Sequence, residues 1–129
     1  VTGTLAGVDL SPKMLEKAKG LRTAAASSQP VYDTLRAADL VGLTAGDVLP
    51  PTAVGSGFDL VAAADVLVYF GALDALLANF ARLSASRSVL VFSCERATSN
   101  EAPDGWLLRS SGRFAHTRAF VYVKDVLNV

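Results

Sequence analysis

The sequence predicts an α/β fold built on a parallel sheet. Three observations support this. Apolar runs of strand length alternate with longer segments of helical period, the order that α/β domains show. The strongest runs are apolar without alternation, as strands covered on both faces are. Several of them also end on an acidic residue or just before one, as in "LAGVDL", "AADL" and "VAAAD".

The elements follow in order. Residues 4–10, "TLAGVDL", form a short run suited to a strand buried on both faces. Ser11 is a good helix N-cap, Pro12 sits at the first helical position, and Gly20 supplies a stop, so the spacing predicts a helix over 12–19. "LRTAAASSQP" reads as a helix end fraying into a loop, and "TLRAADLV" as the next strand. Residues 42–57, rich in Gly, Pro and Thr, read as a surface crossing into a central strand over 58–64. Leu73, Leu76, Leu77, Phe80 and Leu83 then recur at spacings of three and four, which gives a helix with one apolar face turned to the sheet. "SVLVFSC", 88–94, is a further central strand, "ATSNEAPDG" a polar loop, and "FAHTRAFVYVKDVLNV" either a helix or an edge strand.

The 129 residues fit one domain. Twelve basic and twelve acidic side chains cancel, so no global field favours nucleic acid or an anionic membrane. No run approaches the roughly 20 apolar residues of a membrane span, and no leader pattern opens the chain. A soluble, cytoplasmic protein is the expectation, with a small molecule as its partner. The single cysteine, Cys94, cannot form an internal disulfide and reads as buried packing rather than a nucleophile. No metal site is expected.

The candidate site residues lie at strand ends, where open α/β sheets bind ligands. Asp9 ends the first strand, and its carboxylate can take both hydroxyls of a ribose. Leu10 and Met14 follow it, and a thioether suits the face of an adenine. The alternative is that Asp9 only precedes the N-cap and that Met14 is core. Asp39 can accept from an exocyclic amine while the Leu40 amide reaches a ring nitrogen; the alternative is a solvated loop aspartate. In "AADVLVYFG", Ala63 and Ala64 leave room for a ligand, and Asp65 and Tyr69 face it. His116 is the one group with an unperturbed pKa near neutrality, either a base, a donor that orients substrate, or a surface histidine. Arg113 and Arg118 either clamp a substrate carboxylate or are solvated. Trp106 either lines an acceptor pocket or packs.

"GVDLSPKMLEKA", "YDTLRAADL", "FDLVAAADVLVYFGALDALL" and "VLVFSCE", in this order, resemble the Rossmann-like class I S-adenosylmethionine-dependent methyltransferases. The likeness is to the small-molecule branch described as methyltransferase type 11 or 12. "GRFAHTRAFV" is similar to a segment of methyltransferase-like proteins that some bacteria fuse to tetratricopeptide repeats. The resemblance covers nearly the whole chain and implies a three-layer α/β/α sheet, here incomplete, over residues 1–129. It implies methyl transfer from S-adenosyl-L-methionine to a small-molecule acceptor. Asp9 would hold the ribose, Leu10 and Met14 the adenine face, and Asp39 and Leu40 the adenine edge. The Ala64 backbone would meet the methionine moiety, and Asp65 through Tyr69 would border the methyl group, with Tyr69 and His116 as catalytic candidates.

Two departures accompany the resemblance. The family's glycine-rich loop should precede Asp9, and Gly3 and Gly7 do not form it; the family's first strand, which lies between its second and fourth, is missing with it. The closing antiparallel hairpin is absent or altered after His116. The expectation is therefore a fragment, associated with a repeat domain or with a second copy. A non-catalytic binding module and a product without function are the alternatives. An NAD-dependent oxidoreductase is less well matched, since Tyr32, Tyr69 and Tyr122 all lack a lysine four residues on.

Overall fold

A computed structural model describes residues 3–24, 28–49, 55 and 57–117. The chain divides into two compact units, Val1–Gly57 and Phe58–Val129. Helices and small sheets are mixed in an α/β arrangement, and the described strands form three sheets.

In the first unit, β1 (Ala6–Asp9) runs parallel to β2 (Thr34–Ala37), with Asp9 opposite Ala37. Parallel strands need a crossover, and α1 (Pro12–Lys19) supplies it over the predicted span. Ser11 caps it, its Oγ accepting from the Met14 amide at 3.4 Å, and Pro12 occupies the first turn, where an absent N–H leaves nothing unsatisfied. The helix stops at Gly20 in a right-handed conformation, and the Arg22 guanidinium donates to the exposed Lys19 carbonyl at 2.6 Å. Residues 25–27 of the expected fraying loop lie outside the described residues, and the two sides of it that are described pair with each other. Arg22 and Pro30 form an antiparallel bridge, flanked by bonds from Thr23 to Gln29 and from Val31 to Leu21. The predicted strand over 34–41 ends early, because Asp39 Oδ1 accepts from the Val41 amide at 3.0 Å and turns the chain. The 42–57 crossing is not wholly at the surface: Leu43, Val48 and Leu49 are buried around the short helix α2 (Ala45–Val48).

Gly7, on β1, sits at a close approach of side chains rather than in a loop. A Cβ there would lie 2.8 Å from Leu35 Cδ2 and 3.0 Å from the Tyr32 ring.

The second unit repeats the parallel plan. β3 (Phe58–Ala63) leads through a 3₁₀ turn (Leu67–Tyr69) into α3 (Asp74–Leu83), which passes directly into β4 (Ser84–Phe92), parallel to β3. Leu76, Phe80 and Leu83 are buried on α3, as their spacing predicts. β4 begins four residues before the expected strand, since "SASR" is polar and small and carries no apolar signal. It also ends at Phe92, so Cys94 lies beyond it. The burial on both faces expected of residues 4–10 fails, since every residue of β1 is only half-buried, and the buried strand expected over 58–64 is covered on one face only. Leu60 on β3 and Val89 and Val91 on β4 are each more than half exposed, while Val61, Ala63, Leu90 and Phe92 alternate with them on a more covered face.

Three short strands complete the unit: β5 (Glu95–Arg96), β6 (Trp106–Leu108) and β7 (Phe114–His116). β7 lies between the other two, parallel to β5 and antiparallel to β6. The tail residues up to His116 are thus a central strand rather than a helix or an edge; residues 118–129 lie outside the described residues. Ala97 and Ala102, within the expected polar loop, are buried with Ala115, and Leu107 packs against them. Gly71 is a second close approach, since a Cβ would meet three ring carbons of Trp106 at 3.2 to 3.3 Å.

Two threonine–carboxylate turns hold loops in place. The Thr44 hydroxyl and amide both donate to Asp47 Oδ2 at 2.6 and 2.8 Å, and the Thr98 amide and hydroxyl both donate to Glu101 Oε2 at 2.8 Å. These bonds hold both carboxyls below their ordinary pKa.

Three measurements check these packing and turn arguments. Gly7→Ala should cost about 1–2 kcal/mol by overpacking against Leu35 and Tyr32, read as a lowered denaturant midpoint. Gly71→Ala should cost about 1 kcal/mol or less and shift the emission of Trp106, the sole tryptophan. For the carboxyls, the folded pKa lies below the unfolded one, so their stabilisation is present above the unfolded value and lost as pH falls through the folded one. Thr44→Val and Thr98→Val should therefore lower stability at neutral pH and flatten its loss on acidification below the usual carboxylate range.

Candidate functional site

The first group of candidate residues sits at one end of the β1–β2 pair. Because the two strands are parallel and in register, their carboxyl ends coincide, and α1 starts from that same end. Asp9 is half-buried there. Its Oδ1 accepts from the Ser11 amide at 2.7 Å, which fixes the side chain in the turn before the helix. Asp9 therefore does support the N-cap, but with one oxygen; Oδ2 has no partner among the described residues.

Leu10 is 71% exposed and Met14 50% exposed, so Met14 is not core. An apolar side chain in the first turn of α1 thus stands open beside a fixed carboxylate. Asp39 is exposed at the end of β2, with one oxygen committed to the Val41 amide, and Leu40 follows it half-buried. Asp9, Leu10, Met14, Asp39 and Leu40 all lie at or just beyond the carboxyl end of the β1–β2 pair.

The second group sits at the carboxyl end of β3. Ala63 is buried and Ala64 exposed. Asp65 then takes a left-handed backbone conformation, φ +53°, which a residue other than glycine adopts only at a cost. Ser93, just past β4, holds it there: its Oγ accepts from the Asp65 amide at 2.7 Å, and its own amide donates to the Ala63 carbonyl at 3.3 Å.

The Arg113 guanidinium faces this turn. Nη2 lies 3.3 Å from Asp65 Oδ2 and 3.5 Å from the Tyr69 hydroxyl, Nη1 lies 3.6 Å from Glu95 Oε1, and the cation stands 5.7 Å from the Tyr69 ring centre. The Tyr69 hydroxyl and the Asp65 charge push the Arg113 pKa further up, so the guanidinium stays charged. Arg113 is therefore no open carboxylate clamp, because two carboxylates already attend it. Arg118 lies outside the described residues.

Trp106 packs edge-on against Phe114, ring centres 5.1 Å apart, and over Gly71. His116 is not a surface histidine. It is 4% exposed within β7, its carbonyl accepts from the Ala97 amide at 2.8 Å, and its Nε2 has no partner among the described residues. Burial pushes the Cys94 thiol pKa up, which lowers its thiolate fraction and suits packing rather than attack.

Ser93 and Glu95 complete the second group and were not among the predicted site residues. The signal for them was the switch from "VLVF" to polar residues, which marks a strand's carboxyl end in the same way as Asp9 and Asp65. Among the described residues, no three His, Cys, Asp or Glu side chains cluster as a metal site, and no helix is long and apolar enough to cross a membrane. No family model, curated protein or solved structure matches the chain.

Proposed function

We propose that the chain is a class I methyltransferase domain that uses S-adenosyl-L-methionine and acts on a small molecule. The observation that carries this reading is the β1–α1–β2 unit, which sets an available Asp9 carboxylate oxygen beside the exposed Leu10 and Met14. The donor set fits an adenosine: one acceptor for ribose hydroxyls, an open apolar surface for the adenine face, and Asp39 with Leu40 at the same end for its edge. The strand pairing supports it as well. Each unit by itself pairs two parallel strands, β1 with β2 and β3 with β4, the pairing that the family's sheet uses.

S-adenosylmethionine, when bound, supplies an electrophilic methyl group for in-line transfer. This chain's residues then have three tasks. Within the first unit, Asp9 orients the ribose, Leu10 and Met14 offer an apolar surface to the adenine, and Asp39 accepts from its exocyclic amine, so that what these residues supply is binding and alignment rather than proton transfer. His116, sealed inside β7, is not needed as a base. A second reading, a binding module of the same fold, is favoured by the exposed Leu60, Val89 and Val91, which form an apolar face suited to association.

Calorimetric titration of the 129-residue chain, first shown to be folded by circular dichroism, tests the proposal. S-adenosylmethionine should bind and NAD should not, and Asp9→Ala should weaken binding about tenfold, the loss of one charge-assisted hydrogen-bonding partner. Preference for NAD, or an Asp9→Ala variant with unchanged affinity, would sink the reading.

A further inference from the structure

No further inference is drawn: the strongest candidate, the open apolar face that Leu60 on β3 shares with Val89 and Val91 on β4, carries nothing because nothing in the structure shows what covers it.

Discussion

Parallel strand pairing is the constraint on which the arrangement of both candidate groups depends. A parallel partner cannot be reached by a tight turn, so each pair must be closed by a crossover that starts where the first strand ends. In the first unit this forces Asp9, Leu10 and the first turn of α1 to the same end as the residues that follow β2. In the second it places Ala64 and Asp65 beside Ser93. The register of that second pair is irregular at its entry, between Phe58 and Leu60, where Arg87 takes φ +68°. Past the irregularity the strands run in step to Ala63 opposite Phe92. The mismatch is absorbed at the end that carries no candidate residue, and the bond from Asp65 to Ser93 depends on that.

The electrostatics of the second group follow from its backbone. Ser93 commits its oxygen to the Asp65 amide, which sets the direction of the carboxylate, and the carboxylate with Glu95 then sets where Arg113 stands. Arg113 answers to two acids and an aromatic ring at once, and satisfies none of them at close range. A guanidinium dedicated to an anionic ligand would be expected to keep its fork open. Here both arms are turned inward, which converts an apparent anion clamp into the positive member of an acid-rich cluster.

Much of this was legible in the sequence, for physical reasons that differ by element. Helix α1 was legible to the residue because Ser11, Pro12 and Gly20 act locally, through capping and φ restriction. Helix α3 was legible through its spacing, since burial selects Leu76, Phe80 and Leu83 on one face. The strand-end carboxylates were legible because an acid after an apolar run has few places to go except the exposed end of a strand. The start of β4 was not, since "SASR" joins the ladder through backbone bonds that composition does not record. The partners of Arg113 were hidden for a related reason: Asp65 and Arg113 are 48 residues apart, and no local pattern encodes a contact of that range. Neither was the burial of His116 legible. A lone histidine between an alanine and a threonine leaves base, orienting donor and surface residue all open until β7 is found between β5 and β6.

The open face of β3 and β4 bears on how the second unit can work. Parallel strands are ordinarily covered on both sides, and here the alternation of exposure leaves Leu60, Val89 and Val91 uncovered while α3 packs against β4. Asp65 and Ser93 stand at the ends of these same strands, so the face and the strand-end turn share one support. A layer laid over Leu60, Val89 and Val91 would bury apolar surface without touching Tyr69 or Arg113, because side chains on a strand face and groups at its end point in different directions. Association through that face and ligand recognition at the strand end are therefore compatible in one unit, and the binding-module reading and the catalytic reading differ in what the strand end holds rather than in how the sheet is built.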